Sequence, residues 1–362
     1  MASLPQDGLK HLAEATGLSV STVSRVLSGK AAAYRISTDT QERVMRAARQ
    51  QGIVVNEVAR GLRLRTTQTI GLIIPDVSNP FFASLARHIE HLARAKGYSV
   101  LLADSQENVE VEAESVKLMR SRRVDGLVVA PVGISGDHLH QTGSENWPLV
   151  LLDRVPTGYA GPCVTSDNRQ ASKAAVQHFL EQGHRHIVCL QGLPASSANQ
   201  QRVLGYQQAL QEARVPVNAK LVIGHDYAIE TGRSAVHELF SQSNPRPTAI
   251  MALGNLIALG ALQALRHLKL KVPDDVSLIS FDEQPWAELV DPPLTTLSQP
   301  VEKMAETAMD LLFQQLARTP LNSHKQEILL PVTLIQRASV APLAGSNRIR
   351  LTERTPLRKR LR

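Results

Sequence analysis

The sequence predicts an all-α helix-turn-helix head joined to a larger α/β core of two tandem parallel-sheet lobes. Three observations carry that prediction. The first 50 residues hold helical apolar spacing with no strand-like run between the helices. From Thr69 onward short apolar runs alternate with amphipathic stretches, and after Asp167 the alternation starts afresh. At 362 residues there is room for two or three domains. A hydrophobic share of 43% with 20% charged residues lies near the globular norm, which excludes a fibrous or largely disordered chain.

The head elements follow in order. A first helix is expected over about Leu9 to Ala15, with Leu9, Leu12 and Ala13 on one face. A second starts after Ser19, whose hydroxyl suits an N-cap, and runs to Leu27. A third spans Ser37 or Thr38 to Gln51, turns Val44, Ala47 and Ala48 inward and stops at Gly52. In the core, strands are expected at Thr69 to Pro75, Tyr98 to Ala103, Gly126 to Ala130 and Leu149 to Leu152, with helices such as Pro80 to Lys96 and Val109 to Arg122 between them. After Asp167 come strands at His186 to Leu190, Leu221 to Gly224, Ala249 to Leu253 and Val276 to Phe281. They alternate with helices near Ala171 to Gln182, Asn199 to Ala213, Thr231 to Ser241 and Asn255 to Leu268. In open parallel sheets ligands sit beyond the carboxyl ends of the strands, so two facing lobes make a cleft between such ends.

Composition narrows the function classes. The longest apolar stretches, Ile70 to Pro75 and Leu127 to Val132, fall short of the roughly 18 residues of a membrane span, so no membrane partner is expected. Met1 to Leu9 lacks the basic-then-apolar layout of a secretory signal. Cys163 and Cys189 alone give no disulfide framework and no cysteine zinc site, which fits a reducing cytoplasm. The net charge of +7 is unevenly spread. Residues 1–65 carry +5 and residues 341–362 carry +6, leaving a mildly acidic middle, so a terminal segment is suited to a polyanion. The tail past Leu343 has the composition of a disordered segment.

Within the head, Ala13, Gly17 and Val23 have the spacing of two helices crossing through a short turn. Ala13 permits close approach, Gly17 takes the positive φ of the turn, and Val23 buries against the first helix with Leu12, Leu18 and Val26. The opposite face presents Ser21, Thr22 and Arg25, with Val20 near the helix start. Entering the major groove, such a face lets Arg donate two bonds to guanine and Val meet a thymine methyl. Ser19, Thr22 and Ser28 suit phosphate oxygens, which position the helix without reading sequence. The plainer reading of the same face is a solvated helix with one surface arginine.

The stretches "HLAEATGLSVSTVSRVLSGK" and "NEVARGLR" closely resemble the DNA-binding segment of the lactose-repressor/galactose-repressor (LacI/GalR) family of bacterial transcriptional regulators. The resemblance continues in register through "IGLIIPDVSNPFF", "LVLLDR", "RVLGYQQAL", "PTAIMALGNLIALGAL" and "VPDDVSLISFDE" to "LPVTLIQRASV", covering about residues 8–340. It implies a DNA-binding domain at 1–55, a hinge helix at 56–65, and a two-lobed effector-binding and dimerisation domain at 66–340, Rossmann-like and periplasmic-binding-protein-like. A basic tail at 341–362 follows. It also implies a homodimer on near-palindromic double-stranded operator DNA, controlled by a small sugar, sugar acid or sugar phosphate. Base reading then falls to Val20, Ser21 and Arg25, and a minor-groove wedge to Leu62. Asn56 caps the hinge helix, and Ala59 and Arg60 join the DNA-contacting set. About two turns of helix containing Gly61 are marginal alone, so the hinge is expected to be helical mainly when docked on DNA. Affinity should fall with salt.

For the effector, the resemblance places Phe81, Asp153, Arg154, Arg202, Asn255 and Asp282 around the cleft, with Asp76 beside the first strand. Arg202 and Asp282 suit sugar hydroxyls, and Phe81 with Trp286 the apolar sugar face. Taken singly, Phe81 and Trp286 read equally as core and Asp282 as a loop cap. Two departures stand out: Gly254-Asn255 replaces the family's usual Asn-Asp, and the loop Lys30 to Arg35 is longer than usual, as in the fructose-repressor branch. No phosphate loop, GxGxxG or G-x-S-x-G elbow is present, so no enzyme and no cofactor is expected. The pairs His88/His91, His138/His140 and His184/His186 lack further ligands at metal spacing and read as surface or capping residues. A periplasmic binding protein would share the core but not the head.

Overall fold

The computed structural model describes residues 6–27, 31–51, 66–140, 147–242, 246–317 and 327–343. Ser28, the residues Asn56, Ala59, Arg60 and Leu62 of the expected hinge, and the basic tail lie outside the described residues.

The head is built from α1 (Gln6–Thr16), α2 (Val20–Leu27) and α3 (Thr38–Gln50). Its core is small: Leu12, Ala13, Val23, Val26, Leu27, Ala31, Val44 and Ala48 are buried together, with Leu18 and Ala47 packed beside them. Gly17 has φ +62°, and the amide of Leu18 donates to the Ala13 carbonyl at 3.0 Å, closing the turn between α1 and α2. Ser19 accepts from the Thr22 amide at 3.1 Å and Ser37 from the Thr40 amide at 3.3 Å, so both later helices carry a hydroxyl cap.

The core opens with β1 (Thr69–Ile74), α4 (Pro80–Ala95), β2 (Ser99–Asp104), α5 (Val109–Ser121), β3 (Gly126–Val129), α6 (Asp137–His140), β4 (Leu149–Leu152) and β5 (Cys163–Ser166). It continues with α7 (Asn168–Glu181), β6 (Ile187–Leu190), α8 (Ser197–Glu212), β7 (Val222–Ile223), α9 (Ile229–Gln242), β8 (Ala249–Ala252), α10 (Asn255–His267), β9 (Ser277–Phe281) and β10 (Thr295–Ser298). Helix α11 (Val301–Leu316), β11 (Glu327–Leu330) and β12 (Thr333–Ile335) complete it. The described strands form two sheets, ordered β11-β5-β4-β3-β1-β2 and β12-β10-β9-β8-β6-β7. Every pairing is parallel except β10 with β12.

The chain passes between the lobes three times, at β5 to α7, at β10 to α11 and at β11 to β12. Helix α11 returns to the first lobe, where Met304, Ala305, Ala308, Met309 and Leu312 pack with Phe81, Phe82, Leu85 and Val150. Helix α7 already belongs to the second, its Ala171, Ala175, Val176 and Phe179 packing on Ile187 and Cys189. The eight expected strands form within a residue or two of their expected bounds. The strands β5, β10, β11 and β12 and the helix α11 were not anticipated, because each is completed by a sheet or helix remote in sequence.

Candidate functional site: an interlobe cleft and a helix-turn-helix face

Strands β4 and β9 hold equivalent places in the two sheet orders, and each is followed directly by an aspartate. Asp153 has φ +66° and Asp282 φ +70°, a left-handed geometry that Asp tolerates better than most side chains. The Asp153 amide donates to Val164 O in β5 at 2.8 Å, and that of Asp282 to Leu297 O in β10 at 3.0 Å. The same local device therefore delivers one buried carboxylate from each lobe. Burial pushes both above the usual carboxylate range; Arg154 and Arg202 pull Asp153 back, and Arg202, Gln299 and the Asn255 amide pull Asp282 back.

Two buried arginines face these carboxylates. Arg154 grips Glu107 with both terminal nitrogens, Nη1 to Oε2 at 2.6 Å and Nη2 to Oε1 at 2.7 Å, while its Nε stands 3.6 Å from Asp153 Oδ2. Burial opposes its charge, but Glu107 and Asp153 outweigh that and keep the guanidinium protonated. Arg202, on α8, donates from Nε to Asn168 Oδ1 at 2.7 Å and from Nη1 to Leu253 O at 2.8 Å, with its plane 3.9 Å over the Phe281 ring.

The remaining wall comes from helix starts and crossovers. Asn79 caps α4 by accepting from the Phe81 amide at 3.0 Å, and the same Oδ1 receives Asn255 Nδ2 at 3.2 Å, linking the lobes. Gln299, on the crossover after β10, donates to Asp282 Oδ1 at 2.6 Å. Phe81 and Phe82 meet edge to face with centroids 5.0 Å apart, and the Arg154 guanidinium lies 5.5 Å from the Phe82 ring and 5.4 Å from that of Tyr227. Asn79, Phe81, Arg154, Arg202, Tyr227 and Gln299 are among the side chains that line a cavity of about 20 Å³ with the two aspartates, so little free space remains between the lobes at this point. Asp153 Oδ1, Asn255 Oδ1 and Gln299 Oε1 are buried without a hydrogen-bond partner, an unusual concentration of unsatisfied acceptors. Grooves of about 440 Å³, beside Asp153 and Ser166, and about 280 Å³, beside Phe81 and Gln284, flank the cavity.

Of the residues singled out in the sequence, Phe81, Asp153, Arg154, Arg202 and Asp282 line this cavity, and Asn255 reaches it through Asn79. Asp76 instead folds into its own turn, accepting from the Ser78 amide at 2.8 Å and hydroxyl at 2.6 Å. Trp286 is half-buried against the second-lobe core and is not among the lining side chains. Asn79, Tyr227 and Gln299 were missed. Asn79 carried a usable signal, an N-cap before Pro80 at a strand end, whereas Gln299 follows a strand that was itself not expected. His184 is no surface residue: it is buried, with Nε2 on Ala341 O and Nδ1 on Thr248 Oγ1, both at 3.0 Å. His138 meets the buried Glu112 at 2.5 Å. Among the described residues no group of three or more His, Cys, Asp or Glu could hold a metal ion, and no described helix is long and apolar enough to cross a membrane.

In the head, Val20 is 43% exposed at the start of α2, an open apolar side chain beside Ser21 and Thr22. The Ser19 hydroxyl lies 2.9 Å from that of Ser21 and 2.8 Å from that of Thr22. Arg25 lies over the Tyr34 ring at 3.9 Å.

Residues 8–56 match the model of bacterial regulatory proteins of the lacI family, and residues 176–340 that of a periplasmic binding protein-like domain. Over 341 residues the chain is 32% identical to the HTH-type transcriptional regulator DegA of Bacillus subtilis, an alignment covering 92% of this chain and 97% of the relative. The chain belongs to the LacI family of DNA-binding transcriptional regulators. A second family member, the ribose operon repressor of Halalkalibacterium halodurans, is 31% identical over 329 residues, 91% of this chain and 96% of that one. A LacI-family regulator from Enterococcus faecium solved with bound ribose superposes with a TM-score of 0.67 at 26% identity, covering 76% of this chain and 99% of that one. The relatives are regulators rather than enzymes. The lacI-family match ends at residue 56, before the expected wedge Leu62.

Proposed function

We propose that this LacI-family regulator binds its operator as a homodimer and is controlled by an uncharged, sugar-sized polyol enclosed between the lobes. One observation carries the choice of ligand class: Asp153, Asp282 and Glu107 stand against Arg154 and Arg202 in a largely buried cluster. Three carboxylates against two guanidiniums leave no surplus cation for a phosphate or a sugar acid. An anion there would gain an unpaired, desolvated negative charge, which is costly. A polyol instead offers donors to Asp153 Oδ1, Asn255 Oδ1 and Gln299 Oε1, and its carbon face suits Phe81 and Tyr227. The ribose held by the Enterococcus faecium relative supports the same reading. A cavity of about 20 Å³ admits no sugar without separation of the lobes, so occupancy and lobe angle are coupled. That coupling reaches DNA by changing the distance between two heads, with residues 56–65 as the hinge. A regulator of this kind meets its operator in the cytoplasm.

The test is titration of the full-length protein with neutral pentoses and hexoses, their acids and their phosphates. Binding is followed by calorimetry, and operator affinity is measured with and without each compound. A neutral sugar that binds and shifts operator affinity in either direction is the expected result. Binding confined to the phosphates or acids would overturn the ligand class, and tight binding with unchanged operator affinity would overturn the regulatory role.

A further inference from the structure

We propose that Tyr34 is a positioning residue for sequence reading: its ring holds the Arg25 guanidinium in place for the operator. The inference rests on Arg25 as the base-reading side chain of the head. The guanidinium carbon of Arg25 lies 3.9 Å from the Tyr34 ring centroid, stacking distance for a cation–π contact between α2 and the short turn Ala32–Tyr34 that follows it. Tyr34 is 51% exposed, so its ring does not serve the packed core of the head. It sits instead on a tightly closed loop. The Ala31 carbonyl accepts from the Tyr34 amide at 3.2 Å and from the Ile36 amide at 2.9 Å, while Ala31 is buried in the head core with Ile36 packed against it. Arg35 has φ +54°, the left-handed turn that brings the chain back to Ile36. The backbone that carries the ring is therefore held at both ends of the 31–36 turn, which fixes where the ring projects from beside Arg25.

The geometry suits the task. Stacking uses the face of the guanidinium, whereas bidentate recognition of guanine uses its in-plane N–H donors, so the two contacts are compatible in one conformation. Stacking on the ring removes, before DNA arrives, part of the rotamer freedom that an arginine side chain gives up on binding. The gain is thus confined to the sequence-specific complex. Tyr34 carries no charge, so counterion release on nonspecific DNA is untouched.

Full-length protein is selected against a duplex library with a randomised core, and base-by-base preferences are then measured for wild type, Arg25→Ala, Tyr34→Ala, Tyr34→Phe and the Arg25→Ala/Tyr34→Ala pair. A fixed nonspecific duplex is titrated at several salt concentrations in parallel. Arg25→Ala is expected to flatten the preference at one base position in each half-site. Tyr34→Ala lowers the preference at that same position roughly two- to five-fold, the range of an exposed cation–π contact, and leaves the others and the salt slope alone. Tyr34→Phe restores it, and in the double variant the Tyr34 change has no further effect. If Tyr34→Ala leaves the profile intact, weakens every sequence equally, or is not rescued by Phe, the positioning role is wrong. If Arg25→Ala itself leaves the profile intact, the assignment of Arg25 to base reading fails, and the role of Tyr34 with it.

Discussion

Arg202 does three things at once that no other side chain could. Its Nε satisfies Asn168 at the start of α7, its Nη1 satisfies the Leu253 carbonyl at the end of β8, and its face covers Phe281. Replacement by alanine leaves two buried acceptors without donors, at about 1–3 kcal/mol each, and removes a cation beside two buried aspartates. Arg202→Ala is therefore expected to lower core stability by a few kcal/mol and to abolish the effector response, while the head, which folds around its own cluster, keeps its grip on DNA. Arg202→Lys keeps the charge but not the fork or the stack, so it should recover little of the response. Denaturation curves together with operator binding with and without sugar check this; a normally responding Arg202→Ala protein would remove Arg202 from the cleft. Arg202, Asp153 and Asp282 were legible because family motifs run through them. Tyr227 was not, since a tyrosine in a loop has no signature until the lobe that supplies the rest of its surroundings is known.

Among the elements, two helix pairs approach so closely that glycine is the only residue that fits. A Cβ on Gly260 of α10 would stand 1.9 Å from the Ile229 carbonyl oxygen at the start of α9, and one on Gly232 of α9 would stand 2.0 Å from Ile257 O of α10. On the other pair, a Cβ at Gly205 of α8 would meet Arg169 O of α7 at 2.1 Å. These are backbone atoms, which cannot rotate aside. Intrinsic helix propensity favours Gly→Ala by about 1 kcal/mol, whereas forcing packed helices apart costs about 1–3 kcal/mol or more, so the steric effect decides the sign. Gly260→Ala is expected to be destabilising by about 1–3 kcal/mol. Gly8→Ala in α1, where nothing lies within 4 Å of the added carbon, should be neutral or stabilising by up to about 1 kcal/mol. Thermal or urea melts of the two single variants give the comparison; equal signs would show that the close approach is not what fixes glycine at 260. The helices themselves were readable from apolar spacing, because each carries its own buried stripe. Strand β11, with alternate residues only half-buried, carries too little pattern to bound from sequence, and its partner Cys163–Ser166 comes from a distant segment.

For the whole molecule, closure of two lobes around buried carboxylates ties stability to pH. Burial is the main reason that Glu112, Asp153 and Asp282 all lie above the ordinary carboxylate range, with His138 partly offsetting it at Glu112, Arg154 and Arg202 at Asp153, and Arg202 at Asp282. A raised folded pKa means the native state holds the proton more tightly than the unfolded chain. That contribution is full below the unfolded values, about 3.9 for Asp and about 4.3 for Glu, and is lost as pH rises through the folded values. Glu283 runs the other way. Burial raises it, but Arg337, at 2.7 Å and 3.0 Å, and Thr296 outweigh that and lower it, so its contribution is present above the unfolded value and lost as pH falls. The net curve mixes the two, but single variants separate them. Asp153→Asn changes the contacts of Arg154 and Arg202 by an amount that depends little on pH, so the slope of the difference reports the proton. Wild-type stability minus that of Asp153→Asn is expected to fall as pH rises from about 4, and likewise for Asp282→Asn, whereas the same difference for Glu283→Gln should rise from acid pH and then level off. Urea titrations of the three variants across about pH 3–8 measure these slopes. A flat or rising difference for both aspartates would mean that their affinity for a proton is not raised in the cleft, and that the neighbouring guanidiniums, rather than desolvation, govern its electrostatics.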